Sequence, residues 1–142
     1  MIGGQVVDVS ASGKNITEDI LSFIYELKTG ALLESAMMIG AILAGAEEEE
    51  VAVIEQVAKK IGIAFQIQDD ILDVTSTEEV LGKPVFSDQK NEKTTYVTLF
   101  GLEKAKKDVE QISEEAIALL RSLKRENAYL EQLLQELIHR EK

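Results

Sequence analysis

Apolar residues along this chain recur at steps of three and four, and no stretch keeps the strict alternation of a strand. With 3.6 residues per turn, that spacing marks helices buried on one side and argues against half-buried strands. Ala105, Val109, Ile112, Ala116, Leu119 and Leu123 form one such stripe. Leu130, Leu133, Leu134, Leu137 and Ile138 form another near the C-terminus. A further helix is predicted from about Glu48 to Asp73. Thr17 is suited to cap a helix with Glu18 and Asp19 at the positive end of its dipole, followed by Ile20, Phe23, Ile24 and Leu27 at helical spacing. Gly30 predicts a kink before a helical stretch from Leu32 to Ala44. The only proline lies in "TSTEEVLGKPVFSDQKNEK" (75–93), which reads as containing an irregular loop. The fold class is all-α, a single region over residues 1–142 with room for one ordinary core and no internal repeat.

Charge and composition narrow the partners. The 26 acidic residues outnumber the 15 basic ones, for a formal charge of −11. A nucleic-acid partner is therefore not expected, because neutralising phosphates requires a basic face. The same balance suits a protein that gathers cations. With no cysteine, disulfides and thiolate metal sites are excluded. The longest apolar run, Ala36 to Ala46, covers about 16 Å as a helix, too short to span a bilayer, and is expected to be a buried core helix. "MIGGQVVDV" lacks the basic start and long apolar stretch of a secretory signal. No membrane insertion and a cytoplasmic location are the expectations. The run "GAEEEE" (45–50) reads as a solvated turn entering a helix.

The stretch "GIAFQIQDDILDV" (62–74) breaks the pattern of a buried helix. Gln66, Asp69, Asp70 and Asp73 stand at i, i+3, i+4 and i+7, within an arc of about 100° and about 10 Å of helix. Val57, Ile61, Ala64, Phe65, Ile67, Ile71 and Leu72 occupy most of the remaining circumference, and Gln68 falls on that apolar side. An ordinary reading is the exposed polar face of an amphipathic helix. Aspartate is a poorer helix former than glutamate, however, so a merely solvated face would more naturally use glutamate. Neighbouring carboxylates repel, and partial burial makes this worse unless a cation meets them. Short carboxylates three and four apart suit hard divalent ions whose other positions hold water, the mode magnesium prefers. A diphosphate bridged to the helix through Mg²⁺ would use that arrangement.

"FQIQDDILD" (65–73) closely resembles the second aspartate-rich motif of the trans-prenyl diphosphate synthases, the family of farnesyl and geranylgeranyl diphosphate synthases. "GGQVVD" (3–8) is similar to the family's helix segment whose glutamine and aspartate face the active cavity. "KTGAL" (28–32) is similar to its Lys-Thr motif at a helix kink, and "LGKPVFSDQKNEKTTY" (81–96) to the loop after the second aspartate motif. These stand in the family's order and spacing, so the resemblance covers essentially the whole chain. It implies the C-terminal helices of the isoprenoid synthase helical-bundle fold. It also implies a prenyltransferase that joins an allylic diphosphate to isopentenyl diphosphate, with Mg²⁺ clamping the allylic diphosphate.

By that resemblance, Asp69 is a direct magnesium ligand, and Asp70 and Asp73 act as ligands or through water. Lys28 and Lys83 contact the allylic diphosphate, with Lys93 and Gln5 beside it. Thr29 and Gln66 lie near the reacting carbons, Asp8 faces the cavity, and Asp88 and Lys93 belong to the closing loop. Arg140 and Lys142 resemble a basic C-terminal end that folds over the diphosphate in some members. His139 carries no role. Phe86 departs from the family, which commonly has glycine there. The family's first aspartate-rich motif and its isopentenyl diphosphate site lie upstream of "GGQVVD", so the chain is expected to be the C-terminal portion of a synthase. Such a portion is expected to be inactive alone and to pair with an N-terminal half or with itself. Without the resemblance, the alternative is a non-catalytic helical module that self-associates and binds cations incidentally along its acidic stripe.

Overall fold

A computed structural model describes residues 1–75 and 93–140. Among these residues the chain forms seven α-helices and one π-helical turn, with no strand. The helices are α1 (Ile2–Ala11), α2 (Glu18–Tyr25), α3 (Ala31–Leu43), α4 (Glu48–Thr75), α5 (Tyr96–Phe100), α6 (Leu102–Arg121) and α7 (Ala128–Ile138). Lys83, Phe86, Asp88 and Lys142 lie outside the described residues.

The 28-residue α4 is the axis of the fold, packed most extensively against α6 and next against α3. Its buried residues include Ile54, Val57, Ala58, Ile61, Ala64, Ile67, Ile71 and Leu72, which run around much of the circumference, so it is covered from several sides. Val57, Ile61 and Ile67 are fully enclosed, and each such side chain contributes about 1.5–3 kcal/mol relative to leaving it in water. From α6 come Ala105, Val109, Ala116, Ile117 and Leu120, and from α7 Leu134 and Ile138. The helix predicted to end at Asp73 continues to Thr75.

Gly30 does mark an interruption. The helical path from α2 widens into a π-helical turn over Glu26–Gly30 and resumes as α3. Two close approaches seat this turn. A Cβ on Gly4 of α1 would lie 2.5 Å from the Leu27 carbonyl carbon, and one on Gly62 of α4 would lie 2.8 Å from the Gly30 Cα. Only glycine lets these backbones touch. At the other end of the fold, Gly101 at φ 84° turns the corner between α5 and α6. Asn127 caps α7 by accepting the Leu130 N–H at 3.0 Å.

Two packing expectations are corrected. The run Ala36–Ala46 is not a buried core helix: α3 has no buried residue, and Leu43 is 83% exposed. Leu33, Met37 and Ala41 rest against the core while Leu32, Ile39 and Ile42 face outward, because this chain covers α3 on one side only. In α2 the buried face is Leu21, Ile24 and Tyr25, with Ile20 and Phe23 exposed, and Leu27 of the following turn is exposed too. Ile2, Val6 and Val9 of α1 are exposed as well, so the chain presents apolar surface along α1 and α3. No helix among the described residues is long and apolar enough to cross a membrane.

Candidate functional site

The aspartates of the acidic stripe have different surroundings. Asp70 is buried, and its Oδ2 accepts from the Tyr25 hydroxyl and, at 2.7 Å, from the Tyr96 N–H. It therefore ties α4 to the end of α2 and to the first residue of α5, where the chain returns from the 76–92 segment. Asp73, a turn further along, is 3% exposed. Asp69 is the open one: its side chain is 42% exposed, and its Oδ1 accepts from Arg140 Nη2 at 2.9 Å. Among the described residues no three acidic or histidine side chains converge on a point that could hold a metal ion. Direct ligation by Asp69, Asp70 and Asp73 together, one of the two arrangements the resemblance implies, is thus not seen among them.

Asp69 and Gln66 line a cleft together with Asp8, Tyr25, Lys28 and Lys93. Asp8 is at the centre of its basic side. It accepts from Lys28 Nζ at 2.6 Å and from Lys93 Nζ at 3.2 Å. Burial pushes the Asp8 carboxyl up, but the hydrogen bonds and charges of Lys28 and Lys93 together outweigh it and hold the group below its ordinary value. Two ammonium groups on one carboxylate make that side of the cleft locally positive, opposite in sign to the carboxylates of Asp69 and Asp70 in the same lining. The turn at Glu26–Gly30 supplies Lys28, the close approach at Gly4 seats α1 and with it Asp8, and Lys93 arrives from the far end of the 76–92 segment.

Sequence reasoning named Asp8, Lys28, Gln66, Asp69 and Lys93, and the fold brings all five to this cleft, with Asp70 on its wall. It does not bring Gln5, which is exposed on α1, or Thr29, which is half-buried; neither lines the cleft. Gln68, expected on the apolar side, is half-buried outside the cleft lining, and its Nε2 donates to the Arg140 carbonyl at 3.4 Å. Tyr25, Tyr96, Gly4 and Gly62 were missed. The two glycines carried a usable signal, since isolated glycines inside a helical pattern often mark close packing. The tyrosines carried none, because their partners are distant in sequence.

The donors fit magnesium in one mode. Mg²⁺ keeps several waters and is commonly held by one or two carboxylates plus phosphate oxygens, not by an all-protein cage. Asp69 is a hard, partly open carboxylate that already attracts a cationic group, the Arg140 guanidinium. Lysines for the phosphate oxygens line the same cleft.

Comparison with known proteins gives a consistent picture. The polyprenyl synthetase family profile matches residues 1–137. The chain is 48% identical to geranylgeranyl diphosphate synthase of Cyanophora paradoxa over 82% of its own length and 39% of that protein. It is 40% identical to farnesyl diphosphate synthase of Escherichia coli over its full length and 49% of that protein. It thus spans between about two fifths and one half of these relatives. Geranyltransferase from Helicobacter pylori, solved with magnesium and isoprenyl diphosphate, superposes with a TM-score of 0.76 at 34% identity, covering 97% of this chain and 44% of that one. Heptaprenyl diphosphate synthase from Staphylococcus aureus shares the all-α fold with a TM-score of 0.91 at 23% identity, covering 99% of this chain and 56% of that one. The chain belongs to the polyprenyl synthetase family.

Proposed function

We propose that this chain forms the diphosphate- and magnesium-binding portion of a synthase that condenses an allylic diphosphate, dimethylallyl or geranyl, with isopentenyl diphosphate to give farnesyl or geranylgeranyl diphosphate. One observation carries the reading: a carboxylate suited to a divalent cation and a pair of lysines suited to phosphate oxygens line the same cleft. Asp8 holds Lys28 and Lys93 in position, and their ammonium groups donate to the diphosphate of the allylic substrate. When bound, Mg²⁺ neutralises charge on the departing diphosphate. Asp69 is its protein-side ligand. Asp70 and Asp73 act through water or by keeping the helix in register, and the anchoring of Asp70 by Tyr25 and Tyr96 supports the second role. Gln66 presents its side-chain amide to the reacting carbons. Thr29 is assigned beside it and needs a shift of the Glu26–Gly30 turn to reach the cleft. Gln5, exposed on α1, contributes to the diphosphate site only if α1 turns toward it. Lys83 and Asp88 complete the site from the loop.

Isopentenyl diphosphate and the opposite side of the diphosphate require residues beyond those here, so the chain works with an N-terminal half, in a cytoplasmic homo-oligomer. The exposed apolar faces of α1 and α3 also suit the second reading, a self-associating helical module without catalysis. Calorimetric titration separates the two. A synthase portion binds inorganic diphosphate or a bisphosphonate in a Mg²⁺-dependent way, and Asp69→Ala abolishes that binding. Unchanged binding in Asp69→Ala overturns the metal assignment, and absence of any Mg²⁺-dependent binding favours the module.

A further inference from the structure

The C-terminal end of the described chain runs back along the aspartate helix. Arg140 lies two residues beyond α7 and meets α4 at Phe65 and, one turn further on, at Gln68 and Asp69. Its guanidinium carbon sits 3.9 Å from the Phe65 ring centroid, its carbonyl accepts from Gln68, and its Nη2 donates to Asp69. The guanidinium is therefore held between an aromatic face and Asp69, the most exposed of the three aspartates of the stripe. Its attachment is incomplete. Among the described residues Nη2 makes the ion pair, and the buried Nε has no hydrogen-bond partner. A buried donor left unmatched raises the energy of the state that contains it. Arginine stays charged at any working pH, so proton loss does not release this contact.

We propose that Arg140 is a resident counter-ion of Asp69: its guanidinium and a divalent cation compete for the same carboxylate, so the C-terminal end of the described chain lowers the cation affinity of the site. This rests on the reading of Asp69 as the cation-facing carboxylate. A dication taking Asp69 Oδ1 displaces the guanidinium that already donates to that oxygen, so the pairing must be given up first. Apparent affinity is reduced by the fraction of molecules in which Asp69 is already paired. If Arg140 merely fastens the chain end, its removal loosens the site and Mn²⁺ binding is unchanged or weaker at a salt concentration that screens the lost charge.

The test uses Mn²⁺ alone as probe, with free Mn²⁺ measured by electron paramagnetic resonance on the intact protein at that salt concentration. Arg140→Gln keeps a long polar side chain and should bind Mn²⁺ about three- to tenfold more tightly than the parent. Arg140→Lys, which retains the charge, should stay within about twofold of the parent. Asp69→Asn should lose the site. The Arg140 Nε–Hε resonance supplies a second readout: it should move toward its solvent position on Mg²⁺ addition to the parent, and already lie there in metal-free Asp69→Asn. Unchanged or weaker Mn²⁺ binding in Arg140→Gln, with Asp69→Asn still losing the site, overturns the competition alone. Unchanged binding in Asp69→Asn overturns the underlying reading of Asp69.

Discussion

Two adjacent glycines in α1 provide a sharp test of how the site is assembled. A methyl group on Gly3 meets nothing within 4 Å. One on Gly4 would stand 2.5, 2.6 and 2.7 Å from the Leu27 carbonyl carbon, the Lys28 nitrogen and the Leu27 oxygen. All three are backbone atoms of the turn that carries Lys28, so no rotamer change relieves the clash. The turn or α1 must retreat until these contacts approach 3.4 Å. Overpacking of this kind costs up to about 3 kcal/mol. The better helix propensity of alanine recovers at most about 1 kcal/mol. Gly4→Ala should therefore lose about 2 kcal/mol, moving the urea midpoint down by about 1 M for a slope near 2 kcal/mol/M. Gly3→Ala should be neutral or slightly stabilising. The displaced helix also carries Asp8, one turn beyond Gly4, away from Lys28 and Lys93, so Mg²⁺-dependent diphosphate binding should weaken in Gly4→Ala and persist in Gly3→Ala. Equal midpoints for the two variants would refute the packing argument.

Tyr25→Phe removes one donor from buried Asp70 and should destabilise the fold by about 1–2 kcal/mol, as read by denaturant titration. Gly62→Ala forces α4 away from Gly30 and should cost about 1–2 kcal/mol. Gly40→Ala in the open middle of α3 should instead be neutral or gain up to about 1 kcal/mol. The folded Asp8 carboxyl lies below its ordinary value, so its contribution to stability is complete above the unfolded pKa of about 4 and is lost as pH falls through the folded value. Stability measured from pH 6 down to pH 3 should therefore fall less steeply in Asp8→Asn than in the parent; parallel curves would show that the Lys28 and Lys93 pairings are not formed in solution.

Helix identity was determined by local pattern. The steps of three and four in α4, α6 and α7, the break at Gly30 and the spacing of Gln66, Asp69, Asp70 and Asp73 are properties of short stretches, and the structure keeps them. Four quoted motifs likewise sufficed to name the family. What each side chain faces was decided by contacts between stretches far apart in sequence. Asp70 looks like Asp69 along the chain, yet Tyr25 and Tyr96 close over the first while the second opens onto the cleft. The apolar run of α3 has the composition of a core helix, but exposure depends on which neighbours are present, and this chain supplies them on one side only. Gly4 and Gly62 show the same division. Each reads as a weak point in its helix, and only the packed backbones of Leu27, Lys28 and Gly30 turn that weakness into the close approach on which the cleft is built.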